Sequence, residues 1–150
     1  REMTLEVLLR YRTRRPWVPA PATLRGWARL AAGGRNGELG IRVVGTAESR
    51  ALNVRYRGKP APTNVLSFPM PAAAGQAPGI IGDIVVCAPL VAREAREQGK
   101  TLRAHWAHMV IHGTLHLLGF DHQRATEARR MEGRERELLA RLGFADPYGG

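Results

Sequence analysis

Residues 80–122, IIGDIVVCAPLVAREAREQGKTLRAHWAHMVIHGTLHLLGFDH, hold the elements from which the fold is read. Ile80 to Cys87 is a short, β-branched apolar run containing Gly82 and Asp83, and it reads as a buried strand. Pro89 suits the first turn of a helix that runs to about Gln98 and is stopped by Gly99. A longer helix is expected from Leu102 to Leu118. Gly119 is placed to end it in the left-handed conformation and to turn the chain through Phe120 and Asp121 to His122.

Outward from this stretch, Thr4 to Leu9 alternates enough for a first strand, and Arg10 to Pro21 reads as a connection. A helix from about Ala22 to Ala32 is punctuated by Pro21 and by Gly33 and Gly34. Glu38 to Val44 makes a second strand with Leu39, Ile41 and Val43 on one side, and Thr46 is an expected N-cap for a helix reaching Tyr56. Asn64 to Phe68 is a strand flanked by prolines, Met70 to Gly79 a loop, and Thr126 to Leu142 a last helix ended by Gly143. Helices interleave with strands. The expected fold is therefore α+β (mixed α/β): one domain over residues 1–150, with a mixed, roughly four-stranded sheet packed by about five helices.

The chain has 150 residues and 44% hydrophobic content, enough for one core without disulfides. Its sole cysteine, Cys87, lies in an expected buried strand and suits the core better than a metal. No apolar run in the first thirty residues could serve as a signal peptide or span a bilayer, so a reducing, cytoplasmic setting with no membrane partner is expected. The chain opens at Arg1 rather than Met, and a short natural stretch is expected to precede it.

The net charge is +10, divided as +6, +3 and +1 over successive thirds, so the basic excess is N-terminal. Such a field draws polyanions and favours nucleic acid as partner. Twenty-one of the 23 basic residues are Arg, which genomic base composition also produces.

His112 and His116 stand four apart on the long helix, on one face and about 6 Å apart along its axis. The turn at Gly119 can return His122 to the same point. Three imidazoles with a fourth position open to water form a catalytic zinc site, whose charge acidifies that water. One zinc ion per chain is expected, although copper and nickel also accept imidazoles. These residues match the histidines and glycine of the metzincin pattern H-E-x-x-H-x-x-G-x-x-H, but Gly113 stands where a protease carries its general-base Glu.

His105 and His108 lie on the same helix. His105 and His116 are about 16 Å apart along a straight axis, so one ion cannot collect all four rings. His105 and His108 are read as packing groups or as supports for the ligands. Asp121 could orient an imidazole, accept a proton, or serve only the turn.

With HGTLHLLGFDH at 112–122, NVRYRGKPAPTNVLSFP at 53–69, GDIVV at 82–86 and AHWAHMVIHG at 104–113, the chain resembles the YbeY-type rRNA maturation factors, metal-dependent endoribonucleases. The resemblance covers roughly the last two-thirds of the chain, and the first forty residues carry little of it. It implies zinc on His112, His116 and His122, and a functional Arg57. The implied activity is cleavage of single-strand-type RNA in 16S rRNA 3′-end maturation and ribosome quality control. RNA is then the partner, as rRNA in the ribosomal subunit, with a ribosomal protein or GTPase as a recruiting partner. Pro60 departs from the commonly acidic residue at that position.

Read from its chemistry, the Arg57 guanidinium matches two phosphodiester oxygens and could neutralise the charge that builds on phosphorus, and Lys59 could add a looser phosphate contact. Both could equally be solvated loop charges. The catalytic set is Arg57, His112 and His116, with Lys59 and Asp121 as possible RNA contacts or supports. Two rivals stand beside a nuclease. One is a zinc metalloprotease, disfavoured by Gly113, and the other a non-catalytic RNA-binding assembly factor.

Overall fold

A computed structural model describes residues 5–70 and 79–149 of the chain. Most of the expected Met70–Gly79 loop, and the Thr4 start of the first strand, lie outside the described residues. Four strands, β1 (Leu5–Tyr11), β2 (Gly37–Val44), β3 (Val65–Pro69) and β4 (Ile80–Cys87), alternate with α1 (Pro21–Ala32) and α2 (Thr46–Arg57). Helices α3 (Ala88–Gln98), α4 (Leu102–Leu117) and α5 (Ala125–Arg141) follow. The sheet order is β1-β2-β4-β3, with β1, β2 and β4 parallel and β3 antiparallel at one edge. The expected α+β class, with its mixed four-stranded sheet and five helices, is what is found.

Alternation along the strands gives the sheet two unlike faces. Leu5, Val7, Leu39, Ile41, Val43, Ile84 and Val86 point to the main core, where α1, α4 and α5 pack. On the other face a smaller cluster of Val44, Leu66, Val85, Cys87 and Leu90 is covered in part by Leu52 of α2 and by Phe68. Cys87 is buried, in keeping with its reading as a core residue.

Helix α4 is central. It touches α1, α3, α5, β3 and β4, and residues on every side of it are buried, from Trp106 through Ile111 to Leu115. A helix enclosed all round needs no polar stripe, which is why this one tolerates so few charges. It is too short to span a bilayer, and no described helix is long and apolar enough to do so.

Two boundaries stand out against the sequence reading. β1 continues to Tyr11 because Arg10 and Tyr11 stay in register with Arg42 and Val43. Thr46 is the first helical residue rather than the N-cap: the cap is Gly45, which is extended and whose carbonyl accepts from Ser49. The first turn of α2 gains its favourable negative charge from Glu48 instead. Elsewhere the ends of helices shift by a residue, within ordinary end fraying.

Candidate metal centre

Thr101 starts α4 by accepting a bond from the Ala104 amide at 3.1 Å, and the helix then carries His105, His108, His112 and His116 along one flank. Leu118 caps it. Gly119, at φ +104°, follows, and the Phe120 amide bonds back to the Leu115 carbonyl at 3.1 Å. The Asp121 side chain accepts from the His122 amide at 2.7 Å and from the Gln123 amide at 3.3 Å, so it closes the turn that returns His122 to the helix.

The His122 ring centroid lies 5.6 Å from that of His112 and 5.9 Å from that of His116. With zinc–nitrogen bonds of about 2.1 Å, two imidazoles on one ion have centroids no more than about 6.4 Å apart. Both distances lie below that limit. Donor atoms of His116, Asp121 and His122 fall within 4.8 Å of one another, which also brings the Asp121 carboxylate to the cluster. Burial, followed by the like charges of His112 and His122, lowers the His116 pKa, against an opposing pull from Asp121. The ring is thereby kept in the neutral form a metal requires. Its Nδ1 is buried without a hydrogen-bond partner.

Behind this cluster stands Glu135 of α5, fully buried, which the sequence reading did not select. His112 Nδ1 lies 2.5 Å from its Oε2, His108 Nε2 lies 3.3 Å from its Oε1, and the Tyr148 hydroxyl donates to the same Oε1. Burial raises its pKa, but the bonds from His108, His112 and Tyr148 outweigh this and hold it at about 2, so it is a carboxylate. Its signal was available: Met131, Glu135, Leu138 and Leu139 form the buried stripe of α5, and an acid on an apolar stripe needs a partner.

His108, His112 and Glu135 also form a group with metal-ligand chemistry. A 2.5 Å nitrogen–oxygen distance is a hydrogen bond, because two atoms sharing a tetrahedral zinc stand about 3.3 Å apart. The imidazole cluster in front of Glu135 is the other candidate: donor atoms of His116 and His122 are grouped with Asp121, and the His112 ring stands 5.6 Å from that of His122. His105 is in a separate network, 2.8 Å from Glu94 Oε1, and Glu94 in turn accepts from Asn64 Nδ2 at 3.1 Å. Both outer histidines are thus hydrogen-bonded packing groups, His108 lying directly behind the cluster.

Gly113 faces the sheet. A Cβ there would come within 2.9 Å of Ile84 Cγ2, and its carbonyl accepts from Ser67 Oγ at 3.2 Å. A protease glutamate has no room at this position.

Arg57 ends α2 on the opposite face of the sheet. Gly58, left-handed at φ +68°, caps the helix, and the loop beyond is fixed by Asn53 Nδ2 donating to the Ala61 carbonyl at 2.8 Å and by Arg50 Nε donating to that of Pro60 at 3.3 Å. Arg57 and Lys59 are exposed. The structure does not put either side chain in contact with the histidines. It does bring their elements to one end of the edge strand: the Tyr56 and Phe68 rings stand 4.9 Å apart, while beneath the same segment a Cβ on Gly82 would meet the Phe68 carbonyl at 2.4 Å and Leu117 Cδ2 at 2.8 Å.

Fold and site together define a mixed-sheet α+β protein whose central helix ends in a cluster of imidazoles suited to a metal. Residues 24–143 match the family model described as Endoribonuclease YbeY, and the chain belongs to that family. An Endoribonuclease YbeY of Alkalilimnicola ehrlichii is 56% identical over 140 residues, covering 89% of this chain and 84% of that protein. One from Stenotrophomonas maltophilia is 51% identical over 152 residues, covering 97% and 94%. A solution structure from Thermotoga maritima matches with a TM-score of 0.57 at 22% identity, covering 97% of this chain and 99% of that one, which establishes a shared fold.

Proposed function

We propose that this chain is a zinc-dependent endoribonuclease forming one domain over residues 1–150, with a single zinc held by His112, His116 and His122. The observation that carries this reading is the convergence of three imidazoles at the end of α4, one of them backed by a buried carboxylate. The family's name supplies the substrate class, RNA, and the net charge of +10 suits a polyanion. A bound zinc contributes positive charge and Lewis acidity at the phosphodiester. The protein's own groups do the rest: Arg57 offers two parallel donors to phosphoryl oxygens as negative charge builds, and Lys59 adds a looser contact. Asp121 holds the turn that presents His122 and places a carboxylate beside it. The setting is the cytoplasm, the substrate single-stranded rRNA at the 16S 3′ end, and the wider role ribosome quality control, with recruitment by a ribosomal protein or GTPase.

The packing of Gly113 on Ile84 speaks against a protease. The test is metal-dependent cleavage of a short structured rRNA fragment by the wild type, His116→Ala and Arg57→Ala, with zinc content determined for each. The expected result is loss of zinc and cleavage in His116→Ala, and loss of cleavage with zinc retained in Arg57→Ala. If the wild type binds zinc and RNA but cleaves only at a background the variants share, an RNA-binding assembly factor is the better reading.

A further inference from the structure

We infer that Glu135 and Tyr148 are positioning residues for the metal: together they fix the His112 imidazole with its proton on Nδ1 and its Nε2 lone pair directed at the cluster. This makes the segment Asp146–Tyr148 part of the metal-holding apparatus. The inference rests on the reading of His112, His116 and His122 as the ligands.

Glu135 is fully buried, and its side-chain contacts among the described residues are the ring nitrogens of His108 and His112 and the Tyr148 hydroxyl. The Tyr148 hydroxyl donates to Oε1, and His112 Nδ1 faces Oε2 at 2.5 Å. When Nδ1 supplies the hydrogen of that contact, the lone pair of the neutral ring is on Nε2. A free imidazole can place its proton on either nitrogen, and the wrong choice blocks the ligand atom. A carboxylate behind a metal-binding histidine removes that choice and makes the ring a stronger base.

Tyr148 holds the carboxylate in turn. Its hydroxyl donates to Oε1, the oxygen that does not face His112, and its ring meets that of His108 edge-on with centroids 5.3 Å apart. The tail that delivers Tyr148 is itself clamped. Asp146 accepts from Arg136 Nε at 3.1 and 3.0 Å and from the Tyr148 amide at 2.8 Å, and the Arg136 guanidinium lies 5.3 Å from the Tyr148 ring centroid. The chain thus runs from Arg136 through Asp146 and Tyr148 to Glu135, His112 and the metal.

The test measures zinc dissociation constants by chelator competition for the full chain, for Glu135→Gln, Tyr148→Phe and His116→Ala, beside nitrogen-15 shifts of His112 in the metal-free proteins. Glu135→Gln is expected to bind zinc about 10- to 100-fold more weakly and to show a mixed His112 tautomer. Tyr148→Phe, which keeps the ring, is expected to weaken zinc several-fold without unfolding, and it carries the test if Glu135→Gln does not fold. A purely structural role would lower thermal stability but leave the metal-free His112 tautomer as in the wild type, and that outcome overturns the inference. Wild-type affinity in both variants, with zinc lost in His116→Ala, overturns it while the ligand reading stands. If His116→Ala binds zinc as the wild type does, the ligand reading fails first and the inference falls with it.

Discussion

Gly113 lies against Ile84 so closely that a Cβ on the glycine would stand 2.9 Å from Ile84 Cγ2. The Ile84 side chain fills the space between helix and strand there. Gly113→Ala should therefore destabilise the protein by about 1 kcal/mol, the overpacking cost of about 1–3 kcal/mol exceeding alanine's helix advantage of about 1 kcal/mol. Gly113→Glu should cost more than about 4 kcal/mol, since it adds a buried charge, and should create no peptidase. Urea unfolding midpoints measure both. An unperturbed Gly113→Glu protein would show that the helix can move off the strand.

Arg57→Ala should leave stability within about 0.5 kcal/mol of the wild type, because the side chain is exposed and supports no packing. RNA cleavage should fall about 100- to 1,000-fold in kcat with zinc content unchanged. Arg57→Lys should recover little of it, as an ammonium cannot offer two parallel donors. Single-turnover kinetics check the split between binding and chemistry.

The acid response of the metal-free protein should include a contribution from His105. Burial lowers its pKa from 6.5, against the bond and charge of Glu94. A group whose folded pKa is depressed lends stability that is complete above its unfolded value and is lost as the pH falls through the folded value. Stability should therefore begin to decline below about pH 6.5. His105→Gln should flatten that part of the profile, and an unchanged slope between pH 7 and 5 would remove His105 as its source.

Zinc should raise the melting temperature of the wild type, with about 2.7 kcal/mol of added stability when free zinc is a hundredfold above its dissociation constant. His122→Ala should abolish that shift while melting close to the wild type without metal, since His122 is exposed on a turn held by Asp121. Calorimetry with and without a chelator decides this.

The imidazole cluster was legible because its parts are local: two residues one helical turn apart, a glycine that ends the helix, and a third histidine three residues on. Glu135 was harder to single out, for the opposite reason. It reaches His112 from another helix, 23 residues along the chain, and its neighbours Glu132, Arg134, Arg136 and Glu137 make the stretch look like a solvated face. Arg57 stood out only through family resemblance, because an exposed arginine at the end of a helix has no periodicity to mark it. The Thr46 cap failed since Gly45, one residue earlier, takes the extended conformation a cap needs. Strand order was not readable at all: the insertion of β4 between β2 and β3 is a long-range pairing that no local spacing encodes.

The edge strand β3 has one further consequence. The helices that carry Arg57 and His116 meet the same end of it, α2 through Tyr56 on Phe68 and α4 through Leu117 at Gly82. A change at Phe68 or Gly82 would shift both helix ends at once, so the spacing between the arginine and the imidazoles depends on how five residues of edge strand are packed.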